Sequence, residues 1–224
     1  MLRPLGVYAP QGDTELLARE LRRAAVAPGA RVLDLCSGTG ALAVAAALAG
    51  ARDVTAVDIS LRAVLATWVN ARVRGIRVRP LRGDLFSPVA GETFDVILAN
   101  PPYVPSESDR LPRHGPARAW DAGTRGRAVL DRICASAPTM LASGGTLLMV
   151  QSALCDVRTT LGALQSVGMT ASVVARRAEP FGPVMLARAA LLEERGLARP
   201  GHRYQELVVV RADRPRRGSV HMTR

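Results

Sequence analysis

The sequence predicts an α/β fold of Rossmann-like type, a seven-stranded, mostly parallel sheet with helices on both faces. Three observations predict it. From about residue 30 onward, short apolar β-type runs alternate with segments of helical length, the pattern of a parallel sheet covered on both sides. A turn of small residues, Asp34-Leu35-Cys36-Ser37-Gly38-Thr39-Gly40, joins the first run to the first long helical stretch. At 224 residues and 48% hydrophobic, the chain suits one well-cored domain, expected over 1–213 and followed by a basic tail, 214–224, expected to be disordered.

Before the first strand, Asp13 or Thr14 can cap a helix of about 13–25 in which Leu16, Leu17 and Leu21 recur at helical spacing. This helix is expected to lie across the sheet's edge. Strands follow at 31–36, 53–58, 76–81, 93–99, 145–151, 170–176 and 205–211, with helices between them at 39–49, 60–74, 124–142 and 154–167. Right-handed crossovers fix most of the resulting topology. The stretch 103–123 holds three prolines and two glycines, and its length marks a functional loop.

Net charge is +11, and all 30 basic residues are arginine. A coding bias alone produces that, yet arginines cluster at Arg72, Arg74, Arg77, Arg79 and Arg82, and again at Arg211, Arg214, Arg216 and Arg217. Such a surface attracts RNA or ribosomal particles nonspecifically, while the lack of interleaved aromatics favours a solvated basic face over a dedicated one. Cys36, Cys134 and Cys155 have no CxxC spacing, and His114, His202 and His221 have no ligand spacing to them, so neither a metal nor a disulfide is expected. No apolar run approaches a membrane span and the N-terminus lacks a signal-peptide profile, which implies a cytoplasmic protein without a membrane partner.

The glycine turn lets backbone approach a ligand at a helix N-terminus, and by itself serves several cofactors. Asp58 closes the second strand 18 residues beyond Gly40, where it can accept both hydroxyls of a ribose. Asp84, in Gly83-Asp84-Leu85-Phe86, follows the third strand and can accept from an adenine amino group. Three successive acidic strand ends, Asp34, Asp58 and Asp84, suit an adenosine without phosphate. They favour S-adenosylmethionine over a dinucleotide, whose pyrophosphate Asp34 would repel.

Asn100-Pro101-Pro102-Tyr103 ends the run 94–99 and has the makings of a grip on a planar NH2 group. The asparagine accepts through its carbonyl oxygen, a proline leaves its own carbonyl free, and the tyrosine can lie against the plane. Read as punctuation, the same four residues are a strand-ending turn. In this sheet Asp34 and Asn100 close neighbouring strands at the switch point, where ligands collect. Trp120 reads as a loop anchor and His114 as a solvated loop histidine.

Taken together, these motifs resemble the class I S-adenosylmethionine-dependent methyltransferases, and within them the N-methyltransferases that modify the glutamine of Gly-Gly-Gln in translation release factors. The resemblance runs from Val7-Tyr8-Ala9-Pro10 with Asp13-Thr14, through the Asp34 turn, Asp58, Asp84 and Asn100-Pro101-Pro102-Tyr103, to Ala119-Trp120-Asp121-Ala122-Gly123, Gly126-Arg127 and Asp131-Arg132. It is closest to the short form, without an N-terminal helical domain. It implies cofactor contacts from Thr14, Asp34, Cys36, Gly38, Gly40, Asp58, Ile59, Asp84, Leu85 and Asn100. It implies catalytic roles for Asn100, Pro101, Pro102 and Tyr103, a release factor as protein substrate, and in some relatives a small zinc-binding activator subunit that pairs with a sheet edge.

Two features depart from that family. Cys36 stands where many members have the first glycine of the turn. The segment 179–202 is longer than the hairpin expected there, and reads as a surface elaboration, with a substrate or partner surface as the alternative. The grip alone also fits an enzyme acting on the exocyclic amine of a nucleobase in RNA or DNA, and the fold alone fits a catalytically idle binding module.

Overall fold

In a computed structural model of the chain, residues 1–25 and 29–216 are described. Seven strands form one sheet: β1 (Arg31–Leu35), β2 (Asp53–Asp58), β3 (Arg79–Arg82), β4 (Phe94–Ala99), β5 (Leu141–Ser152), β6 (Thr170–Pro180) and β7 (Tyr204–Asp213). Their spatial order is β3-β2-β1-β4-β5-β7-β6. Only β7 runs against the others, pairing antiparallel with both β5 and β6. The reversal of order between β1 and β4 is where the sequence expects it. β1, β2 and β4 are buried along most of their length because both faces of the central sheet are covered.

The helices are α1 (Gly12–Arg23), α2 (Ala41–Leu48), α3 (Leu61–Arg72), α4 (Ala128–Met140), α5 (Val157–Ser166), α6 (Pro183–Ala187) and α7 (Ala189–Glu194). α1 does not lie across the sheet's edge. It packs on β5, β6, β7 and α2, and Leu16, Leu17 and Leu21 are all buried. Three leucines that bury completely require a broad apolar surface, which the face of the sheet supplies and an edge strand does not. The central core is built from Val32, Leu33 and Leu35 of β1, Ile97 and Leu98 of β4, Leu147 to Val150 of β5 and Leu207 to Val210 of β7.

Register sets the site. Leu35 of β1 pairs with Val57 of β2 and with Ala99 of β4. The next residues, Cys36, Asp58 and Asn100, therefore leave the sheet at one level, at the carboxyl ends of three adjacent strands.

Several boundaries differ from expectation: β3 starts at Arg79, α4 at Ala128 and α5 at Val157, each later than the sequence suggests, and β6 runs on to Pro180. β5 begins at Leu141, directly after α4, and a register shift between Phe94 and Val96 absorbs the irregular Ser143-Gly144-Gly145 segment. Arg214, assigned by sequence to the tail, is tied to that segment: its N–H donates to Gly145 O at 2.8 Å, and its carbonyl accepts from Gly144 N–H at 3.1 Å. Residues 217–224 lie outside the described residues.

Candidate active site

Cys36 to Thr39 turn the chain from β1 into α2 with left-handed backbone at Cys36 (φ 57°), Gly38 (φ 54°) and Gly40 (φ 78°). Gly40 is required twice over, since a Cβ there would meet Thr67 Cγ2 at 2.8 Å. Cys36 holds without help the conformation that a glycine adopts freely, a local strain of the kind concentrated at ligand sites. Its thiol is pushed well up by burial and by the neighbouring carboxylates of Asp58, Asp34 and Asp84. It therefore stays protonated and uncharged.

Asp58 holds the turn in place. One oxygen accepts from Gly38 N–H at 2.9 Å and the other from Ser60 N–H at 2.8 Å. Burial raises its pKa in spite of those bonds. Each oxygen keeps a further lone pair toward the cavity, which is what two vicinal hydroxyls need. Asp84 Oδ2 is taken by Arg132 Nη2 at 2.7 Å, which leaves Oδ1 as the acceptor of that carboxylate.

Asp34 is placed otherwise. It is fully buried and does not line the cavity, nor does Gly40. Its Oδ2 accepts from Ala43 N–H at 2.9 Å, so β1 supplies the cap that α2, with Gly40 at its N-cap, lacks. Oδ1 is buried and has no hydrogen-bond partner among the described residues. Burial outweighs the Ala43 bond and pushes the pKa up to about 8. The case against a pyrophosphate therefore rests on Asp58 and Asp84, which face the cavity.

On the other side of the switch point, Asn100 Nδ2 donates to Thr14 Oγ1 at 3.2 Å. The Thr14 hydroxyl donates in turn to Asp13 Oδ1 at 3.1 Å. The hydrogen bonds of this chain can point in one direction only, because the carboxylate at its end is purely an acceptor. The asparagine amide is thereby oriented, with its Oδ1 left unbonded among the described residues. The Pro101 carbonyl also accepts no hydrogen bond among the described residues.

Asp13 Oδ2 accepts from the hydroxyls of both Tyr8 and Tyr103, each at 2.9 Å. Burial and the Asp13 charge push both phenols far up, so both remain donors. Tyr103 is thus 7% exposed and tethered at its hydroxyl, yet it lines the cavity. Its carbonyl oxygen accepts from the Cys155 thiol, and Gly126 packs so closely on that oxygen that a Cβ would sit 2.4 Å from it.

These groups line one cavity of about 1200 Å³, together with Trp120, the 111–120 loop and Val184 and Met185 of α6. Thr14, Cys36, Gly38, Asp58, Ile59, Asp84, Leu85, Asn100, Pro101, Pro102 and Tyr103 all line it. Sequence reasoning quoted Tyr8, Asp13 and Arg132 among the motifs of the resemblance but gave them no role in the site, and it missed Val184. Tyr8 and Asp13 lie five residues apart, whereas the partner in Tyr103 lies 90 residues from Asp13 and leaves no local signal.

Residues 6–111 match the model of the methyltransferase small domain family. A protein of Methanocaldococcus jannaschii, named a putative protein N5-glutamine methyltransferase, is 34% identical over 183 residues, which cover 82% of this chain and 91% of that protein. The chain belongs to the S-adenosylmethionine-dependent protein N5-glutamine methyltransferase family. The release factor glutamine methyltransferase of Bordetella pertussis, also of this family, is 40% identical over 152 residues, 64% of this chain. The match spans 56% of that longer bacterial relative. Among solved structures, the Mtq2–Trm112 complex of E. cuniculi, responsible for methylation of the eRF1 termination factor, superimposes with a TM-score of 0.62 at 22% identity, over 94% of this chain and 99% of that one. At that identity it supports the methyltransferase fold.

Proposed function

We propose that this chain methylates the side-chain amide of a glutamine in a translation release factor, the glutamine of Gly-Gly-Gln. The choice of glutamine over a nucleobase is supported by the 34% identity to the M. jannaschii relative over most of both chains, and the transfer itself by the Asn100–Thr14–Asp13 chain. That chain points an amide carbonyl oxygen, beside the free Pro101 carbonyl, at the place where an NH2 group with two protons to donate would sit.

The residues present fit S-adenosylmethionine. Gly38 lies in a turn open to close approach, Asp58 keeps acceptors for the ribose, and Asp84 Oδ1 is available to the adenine amine. Asp34, buried behind the turn, supports it from below by accepting from Ala43 N–H. When bound, the cofactor supplies an electrophilic methyl group on a positively charged sulfur.

An amide nitrogen is a poor nucleophile because its lone pair is delocalised into the carbonyl. Hydrogen bonds from the NH2 to Asn100 Oδ1 and Pro101 O strengthen as positive charge grows on nitrogen, so they stabilise the transition state more than the ground state. Holding the nitrogen in line at the switch point contributes up to roughly 7–11 kcal/mol in well-oriented systems. The Asp13 carboxylate, through Thr14, keeps Asn100 from turning its own NH2 toward the substrate. Tyr103 forms a flat wall beside the amide plane. The proton leaves the methylated nitrogen to solvent.

In this reading the enzyme works in the cytoplasm, where release factors act. Among the described residues no helix is long and apolar enough to cross a membrane. A small activator subunit with its own zinc site is part of the proposal. The support for it is the complex in which the E. cuniculi neighbour was solved, and an open edge strand, β3, beside exposed Leu61, Leu65 and Trp68 of α3. A basic surface in contact with ribosomal RNA is the weaker partner, since Arg79 is paired with Glu92 and Arg74 with the Asn70 carbonyl.

Incubation with methyl-labelled cofactor and either a release factor or total RNA tests the reading. Label is expected at the Gly-Gly-Gln glutamine and absent when that glutamine is alanine. Label in RNA alone makes the nucleobase the substrate. Failure to bind the cofactor at millimolar concentration in calorimetry makes the chain an idle module.

A further inference from the structure

The segment between β6 and β7, residues 181–203, is not a loose elaboration of the surface. It is fastened to the polypeptide that continues Asn100-Pro101-Pro102-Tyr103. Arg188 donates from Nη1 to Pro105 O at 2.9 Å and pairs through Nη2 with Asp121 at 2.6 Å, with both side chains largely buried. Arg195 donates from Nη1 to Ser106 O at 2.6 Å and Thr124 O at 3.2 Å, and from Nη2 to Glu107 O at 3.0 Å. Phe181, Met185 and Leu192 of the segment are buried and join the main core.

This anchoring brings Gly182, Pro183, Val184 and Met185 into the cavity wall. The cofactor groups Gly38, Asp58 and Asp84 leave β1, β2 and β3, whereas Asn100 to Tyr103 leave β4 on the other side of the switch. The 181–203 segment is tied to the second group and makes no hydrogen bond to the first among the described residues. Its wall is apolar. The two guanidinium groups that it carries toward the site are consumed by carbonyls and by Asp121, so neither is left to hold a phosphate.

We infer that residues 181–203 form the acceptor-side wall of the active site, fitted to a polypeptide loop rather than to a nucleic acid strand, with Arg188 and Arg195 as positioning residues that fix 104–107. Val184, half-buried at the cavity surface, is the side chain of this wall that determines which protein loop enters. This rests on the glutamine reading above and names the surface that selects the protein presenting the glutamine.

Steady-state methyl transfer to a release factor, with cofactor affinity measured in parallel by calorimetry, tests it on Arg188→Ala, Arg188→Lys and Val184→Trp. Loss of a charge-assisted pair or filling of the wall should raise KM for the release factor by about tenfold. The Kd for S-adenosylmethionine should stay within about twofold, since none of its contacts is touched. Arg188→Lys should recover only part of the loss, because one ammonium cannot serve the Pro105 carbonyl and Asp121 in the fork geometry of arginine. If Arg188→Ala does not fold, Val184→Trp carries the test, being a change at a cavity surface rather than in the anchor. An unmoved KM in Val184→Trp, or a cofactor Kd that rises in step with KM, overturns the inference while leaving the glutamine reading intact. No transfer by the unaltered enzyme overturns both.

Discussion

The hydroxyl of Tyr103 donates to Asp13 Oδ2 at 2.9 Å, across 90 residues of sequence. The last residue of the Asn-Pro-Pro-Tyr turn is thereby fastened to the first turn of α1. The same carboxylate holds Thr14, and through it the first residue of that turn, Asn100. One buried aspartate, 3% exposed, fixes both ends of the NH2 grip.

Asp13→Ala should therefore harm stability and turnover together. It leaves the hydroxyls of Tyr8, Tyr103 and Thr14 without their acceptor, at a cost of about 1–3 kcal/mol for each group that stays dry. Urea denaturation should show a loss of roughly 2–4 kcal/mol after relaxation and water entry. With Asn100 free to rotate its amide, kcat should fall by about 10–100-fold. Tyr103→Phe removes one bond of the set and should cost about 1 kcal/mol. Because Tyr8 and Tyr103 share an acceptor, Tyr8→Phe and Tyr103→Phe should not be additive in a double-mutant cycle.

Asn100→Ala removes the oriented acceptor without disturbing Asp58 or Asp84. A donor or acceptor aimed at developing charge is worth about 10²–10³ in kcat. That loss is expected here, with cofactor affinity in calorimetry kept within a few fold. Unchanged turnover would take Asn100 out of the mechanism.

How much of this was legible in the sequence follows from the range of each interaction. The strands were legible as short β-type runs alternating with helical stretches, and the levels of Cys36, Asp58 and Asn100 follow from where those runs stop. Asp34 was legible as an acidic strand end but not as a buried cap for α2, since its helix partner Ala43 depends on how α2 folds back over β1. Asp13 was read from local pattern as a helix cap, and its bond to Tyr103 is set by packing of α1 on the sheet face rather than by neighbours in sequence. The 181–203 wall was visible only as extra length. The residues that fasten it, Arg188 and Arg195, bond mainly to backbone carbonyls, which carry no sequence signature.

Gly40→Ala should show that the cofactor turn tolerates no side chain at its last position. Alanine at φ 78° carries left-handed strain, and its Cβ would meet Thr67 at 2.8 Å. Together these should lower stability by roughly 1–3 kcal/mol. Cofactor affinity should fall as well, because Thr67 Oγ1 donates to the Gly38 carbonyl and any retreat of Thr67 moves the turn. Thr67→Ala in the same chain should recover part of the stability by clearing the closest atoms. Calorimetry and thermal midpoints of the two variants check both effects.

Asp34 predicts a particular dependence of stability on pH in the cofactor-free protein. Folded, it holds its proton up to about pH 8; unfolded, it releases it near its ordinary value of 3.8. Between those limits the folded state binds more protons than the unfolded state, so stability contributed by this group falls as pH rises. The slope approaches about 1.4 kcal/mol per pH unit where the proton difference is complete. Above about pH 8 the folded protein carries the carboxylate as well, and the decline from this source ends. Asp34→Asn removes the ionisation but keeps an oxygen for the Ala43 N–H. Its urea midpoint should vary less between pH 4 and 8 than that of the unaltered chain, and it should be the more stable of the two at pH 8. Equal slopes for the two proteins would mean that Asp34 ionises in the folded state as readily as in the unfolded one, and that its buried Oδ1 has found a partner.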